Sequence, residues 1–173
     1  MHNLLAQINR RLRAFLPLLS SLALGLIGLT PLGMPYLELA APSLALMAVF
    51  YWSIFRADLM TMLGAFLIGL AIDLLSGGPV GLNAMMLLLA HELGVSQRRV
   101  FLGSSFLVNW SAFALVASAA ILAGWLLISL LYWTLLPVAP RIAQWALSLA
   151  VYPAVYWLLS RIERRWLRRM QPA

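Results

Sequence analysis

The stretch VFLGSSFLVNWSAFALVASAAILAGWLLISLLYWTLL, Val100 to Leu136, holds no charged side chain, and how often it crosses a bilayer decides the architecture. As one helix it would reach ~55 Å at ~1.5 Å per residue, against a hydrocarbon core of ~30 Å. A break near Gly124 would turn it into two crossings. The arginines choose between these readings. Arg10, Arg11 and Arg13 precede the first apolar run, Arg56 and the Arg98–Arg99 pair fall between later runs, and Arg161, Arg164, Arg165, Arg168 and Arg169 crowd the C-terminus. With one crossing in 100–136, all of these share a side and only Arg141 faces the other. Basic residues are enriched in cytoplasmic loops, so the bias selects the single crossing and places both termini inside. We therefore predict one long, tilted helix over 106–131. An interfacial segment precedes it, and Tyr132 and Trp133 follow in the outer aromatic belt.

Outward from this helix, apolar runs at about 15–33, 36–55, 59–75, 80–95 and 142–159 complete six transmembrane helices in one all-α domain, residues 1–173. A composition that is 64% hydrophobic and 10% charged offers water almost no polar surface. The net charge of +7 is carried at the ends of apolar runs, which makes anionic lipid the partner rather than nucleic acid. Cysteine is absent, which excludes disulfides and thiolate metal sites. The basic N-terminus followed by an apolar run imitates a signal peptide, but Glu38 suits a cleavage site poorly, so an uncleaved first helix is expected.

Small residues recur at helical spacing and predict packing faces. They are Ser21, Gly25 and Gly28 in the first run, Ser105, Asn109, Ala112, Val116, Ala119 and Ala123 in the fifth, and Ala146, Ala150 and Ala154 in the sixth. Pro31 and Pro35 end the first run, and Pro153 predicts a kink. Tyr51 and Trp52, one turn before Arg56, predict an inner aromatic belt. Ile162, Trp166 and Met170 fall opposite the C-terminal arginines, the pattern of a separate interfacial helix over 160–170 on an anionic surface.

Ionisable groups inside spans are costly, ~2.5–3.5 kcal/mol at a helix centre on insertion scales, so each needs a reason. Asp73 stands one turn before Ser76-Gly77-Gly78-Pro79-Val80-Gly81, with Gly69 one turn further in on the same face. It is read as a fixed acceptor that closes this turn or binds a partner, against the plainer reading of an interfacial carboxylate reaching water. His91-Glu92 opens a zinc-protease pattern, but Val95 stands where the second histidine belongs, and a catalytic zinc wants about three protein ligands. The pair is expected to face headgroups or to meet Arg98 or Arg99. The glycine turn lacks the Gly-Lys-Ser/Thr of a phosphate loop. Serine hydrolysis needs a base beside the serine, and His2 in the tail is the only other histidine. The expectation is therefore no enzyme, no cofactor and no metal.

Ala41-Pro42-Ser43 running into Tyr51-Trp52, followed by Gly69-x-x-x-Asp73-Leu74-Leu75-Ser76-Gly77-Gly78-Pro79-Val80-Gly81, resembles the MreD family of bacterial rod-shape proteins. The motif-bearing part is about 42–90, while the length and layout of the whole chain are similar. Two departures stand out: Ala41 where the family often has arginine, and Arg56-Ala57-Asp58 where it often has proline. The resemblance implies a non-enzymatic scaffold of the cell-elongation machinery in the bacterial inner membrane. Its implied partner is an MreC-like bitopic protein. Through that partner it would connect to RodA and its penicillin-binding partner in peptidoglycan synthesis, and inside to MreB filaments. It also implies a bundle similar to the substrate-binding S-components of energy-coupling-factor transporters. Partner-binding or turn-forming candidates are Pro42, Gly69, Asp73, Gly77, Gly78 and Gly81. A transport subunit with a small-molecule pocket, using Glu38, Asp73 and Asn83, is the alternative function.

Overall fold

The computed structural model describes residues 15–30 and 41–166, without the side chain of residue 166. Arg10, Arg11, Arg13, Pro31, Pro35, Glu38, Arg168, Arg169 and Met170 lie outside the described residues. Among those described, the fold is all-helical: α1 Leu16–Gly28, α2 Leu44–Phe55, α3 Met62–Ser76, α4 Leu82–Ser96, the short α5 Arg98–Phe101, α6 Phe106–Tyr132 and α7 Ala139–Trp166. The helices run up and down. Arg56, Arg98, Arg99, Arg164 and Arg165 gather at one end, the arginine end. The α3–α4 turn, Pro42 and Arg141 lie at the other, the turn end.

α6 and α7 are each long and apolar enough to cross a membrane, whereas α1 to α4 are shorter apolar helices. Large apolar side chains stand on the outside of the bundle, among them Leu63, Leu107, Leu115 and Leu130 at about two-thirds exposure or more. So much apolar surface is at home in lipid, not in water.

α2 is the hub. Its residues Ala45 to Ile54 are all buried, which matches a run that is apolar on every side. This overturns the aromatic-belt reading of Tyr51 and Trp52. Both are enclosed, and their polar tips find partners on other helices. Trp52 Nε1 donates to Ser20 Oγ at 3.0 Å, and Tyr51 OH donates to Glu163 Oε2 at 2.7 Å. The helix also begins later than predicted, at Leu44, because Pro42 has no N–H to offer the ladder and Ser43 serves as N-cap.

Packing faces depart from the alanine patterns as well. On α7 the inward residues are Ser148, Tyr152, Val155 and Leu159, and Ala146, Ala150 and Ala154 point outward. On α6 the buried line runs through Asn109, Phe113, Val116, Ala117, Ala120 and Gly124, while Ser105 is exposed and Ala112, Ala119 and Ala123 are half-buried. Aromatic volume decides the rotation: Phe113 and Tyr152 stack at 4.1 Å between ring centres, against Phe50 of the hub.

Pro153 lies inside a continuous α7. Its missing N–H leaves the Leu149 carbonyl without the usual partner four residues on. Trp110 Nε1, from α6, donates to that carbonyl at 3.1 Å. Residues 160–166 likewise continue α7 instead of forming a separate interfacial helix. No glycine or proline interrupts them, Ile162 packs on the core and Glu163 is tied to Tyr51. Arg161 lies 4.5 Å over the Trp157 ring, and Arg164 and Arg165 are exposed.

Candidate functional site

The site is built from the α3–α4 turn. α3 ends in Gly77 with φ +67°, and α4 begins after Gly81 with φ +99°, both in the left-handed region that favours glycine. Gly81 is the N-cap residue of α4 yet has no side chain to cap with. Asp73 supplies the cap from the preceding helix. Its Oδ2 accepts from Gly81 N at 2.8 Å and Ala84 N at 3.3 Å, and its Oδ1 accepts from Asn83 N at 3.0 Å and Asn83 Nδ2 at 2.9 Å. Those backbone donors are what a helix N-terminus otherwise leaves unpaired, and its dipole favours a carboxylate there. At 1% exposure, Asp73 does not reach solvent as an interfacial carboxylate would.

Gly69 lets the two helices meet closely enough for this, since a Cβ on it would overlap the Ala84 backbone. Gly78 is different. Its φ is ordinary, and among the described residues an added Cβ would meet only Ser76 Oγ at 3.6 Å. The turn therefore needs Gly69, Asp73, Gly77 and Gly81, and has room for a side chain at Gly78.

Beside the turn a cavity of about 290 Å³ opens at the turn end. Pro42 and Ser43 border it on one side, Ile72 and Asn83 on another, and Arg141 and Gln144 on a third. A hydrogen-bonded seam holds this rim in shape. Gln144 Nε2 donates to Ser43 Oγ at 3.0 Å, Ser43 N donates to Ser148 Oγ at 3.1 Å, and Arg141 Nη1 donates to Gln144 Oε1 at 3.1 Å. Sequence reasoning missed Gln144 and Ser148. Their spacing of four residues on one otherwise apolar run was the available signal. Ala41 and Arg141 both line this cavity, so a guanidinium lines the same cavity as the position where the resemblance implies one.

At the arginine end the expectation fails for His91, which is turned inward at 5% exposure. Glu92 is exposed, compatible with the headgroup-facing alternative, and makes no ion pair with Arg98 or Arg99. Arg98 Nε instead donates to the Ile54 carbonyl at 2.9 Å, capping a carbonyl near the end of α2. His91 Nδ1 meets Ser53 Oγ at 2.8 Å, a Ser–His pair invisible in sequence because 38 positions separate them. The pair is not arranged for nucleophilic attack. Ser53 Oγ donates its one proton to Val49 O at 2.6 Å, which assigns the shared proton to Nδ1. Among the described residues no group of three His, Cys, Asp or Glu gathers to hold a metal.

A family model described as rod shape-determining protein MreD matches residues 9–161. The chain belongs to the MreD family. MreD membership, with the apolar exterior, makes this a rod shape-determining membrane protein. The match spans every helix up to Arg161 and so takes in the whole Asp73 turn and its cavity, while Arg164 and Arg165 lie beyond it. Comparison with curated proteins and with solved structures gave no match.

Proposed function

We propose that this MreD protein is a non-enzymatic scaffold of the cell-elongation machinery, holding the membrane-proximal part of an MreC-like bitopic partner in the cavity at its turn end. The chain crosses the bacterial inner membrane six times with both termini in the cytoplasm, so the turn end faces outward. Through that partner it supports peptidoglycan synthesis by RodA and its penicillin-binding partner, and its arginine end lies on the side of the MreB filaments. The observation that carries the reading is the Asp73 cap. All four hydrogen bonds that its carboxylate makes among the described residues go to the turn and the start of α4, so the carboxylate braces a concave rim. A braced concavity loses little freedom when a partner docks.

The test is co-purification of the tagged protein from its native membrane in mild detergent. Wild type and Gly78→Leu are expected to recover the bitopic partner; Asp73→Ala and Ala41→Trp, which fills the cavity mouth, are expected to lose it. Equal recovery by Ala41→Trp would remove the cavity as the docking site. The converging Ser43, Asn83, Gln144 and Arg141 also favour a second reading, an S-component-like subunit binding a small anionic molecule. Recovery of ATPase subunits in the same experiment would select it.

A further inference from the structure

A second cavity of about 300 Å³ lies between α6 and α7, against the opposite side of Arg141. Ile121, Leu122, Trp125, Val138, Ile142 and Trp145 form its apolar lining. It opens sideways, away from the bundle: Leu122 is 56% and Ile142 60% exposed. Its two indoles are pinned, with Trp125 Nε1 donating to Leu136 O at 3.1 Å and Trp145 Nε1 donating to Ala114 O at 3.4 Å. Their polar edges are thus spent on backbone, which leaves ring surface to the cleft. At its mouth Arg141 uses Nη1 on Gln144 and pairs with no carboxylate among the described residues.

We propose that this cleft binds one anionic phospholipid, its phosphodiester on Arg141 and an acyl chain between α6 and α7. The guanidinium fork matches two phosphate oxygens, and Nε and Nη2 have no partner among the described residues. A soluble anion would leave the apolar lining unused. A peptide segment would bring backbone N–H and C=O groups that this lining cannot pair. A lipid satisfies both halves, and the lateral opening admits it from the bilayer. The site is separate from the partner cavity, with Arg141 as their common wall.

The test is native mass spectrometry of the full chain released from nanodiscs of mixed phosphatidylglycerol and phosphatidylcholine. Wild type is expected to retain one phosphatidylglycerol in preference to phosphatidylcholine. Arg141→Gln should reduce that retention at least about tenfold, and Arg141→Lys should restore part of it. Leu122→Trp, a lipid-facing change that fills the cleft, should abolish retention without touching the charge. Glycerol phosphate in excess should not displace the lipid, and Arg164→Gln with Arg165→Gln should leave retention unchanged. Wild-type retention by Leu122→Trp, equal binding of both lipids, or displacement by glycerol phosphate would each overturn the proposal.

Discussion

Replacing Asp73 by alanine removes one carboxylate and strands four donors: the N–H groups of Gly81, Asn83 and Ala84 and the Asn83 amide. Loss of a helix cap costs ~0.5–2 kcal/mol, and a partly buried charge at a helix N-terminus contributes up to ~2 kcal/mol. A buried donor left unpaired adds ~1–3 kcal/mol. These overlap, and removing a buried charge recovers some desolvation, so we expect a net loss of about 3 kcal/mol. Asp73→Asn sharpens the test. Its remaining carbonyl can serve the Asn83 side, but its NH₂ would then point at the N–H groups of Gly81 and Ala84. The isostere should therefore lose about 2 kcal/mol instead of behaving conservatively. Denaturant unfolding in mild detergent, followed by tryptophan fluorescence, reads both variants against wild type. An Asp73→Asn protein as stable as wild type would refute the cap, because an amide can replace a passive acceptor but not this one.

Four further outcomes are expected. Trp110→Phe strands the Leu149 carbonyl and should cost about 1–2 kcal/mol, and in a Pro153→Ala background, where α7 supplies its own N–H, that cost should largely vanish; a double-mutant cycle in detergent measures the difference. Gly69→Leu should prevent α3 from meeting α4 and yield little folded protein on size-exclusion chromatography, while Gly78→Leu should elute as wild type. Ser53→Ala leaves the His91 Nδ1–H unpaired and should destabilise by about 1–2 kcal/mol; fluorophosphonate probes should label neither form, and Ser53-dependent labelling would overturn the assignment of its proton. Arg56 holds the Asp58 carboxyl below its ordinary range, chiefly through their hydrogen bond. A depressed native pKa stabilises where the unfolded carboxylate is ionised. Asp58→Asn should therefore cost less than ~1 kcal/mol at neutral pH, and nothing once acidification has passed through the native pKa.

The all-helical class and the single helix through 106–131 were legible because arginine placement and apolar length act along the chain. The Asp73 turn was legible for a similar reason: carboxylate, glycines and capped helix all lie within about a dozen residues. What the chain conceals is lateral. α2 is apolar on every side, so its pattern did not say which neighbour each face meets, and Tyr51 beside Trp52 imitated an interfacial belt. Ala146, Ala150 and Ala154 suggested a seam, but Phe113 and Tyr152 stack and rotate α7 away from it. The Ser53–His91 pair and the Ser43–Gln144–Ser148 seam join residues far apart in sequence, with no motif to announce them.

The unequal helices carry a mechanical consequence. α3, lined outside by Met62, Leu63, Phe66, Leu67, Leu74 and Leu75, is 15 residues long, ~22 Å of apolar wall. α6 has 27 residues, ~40 Å. A bilayer wetting both walls must thin along one flank and thicken or tilt the protein along the other, at a fraction of a kcal/mol per ångström. The molecule is thus a wedge in the elastic sense, surrounded by a lopsided ring of strained lipid. Neighbours of matching height relieve that strain by moving in. On the proposed scaffold reading, with every helix crossing, the membrane itself would press companions against particular flanks before any two side chains touch.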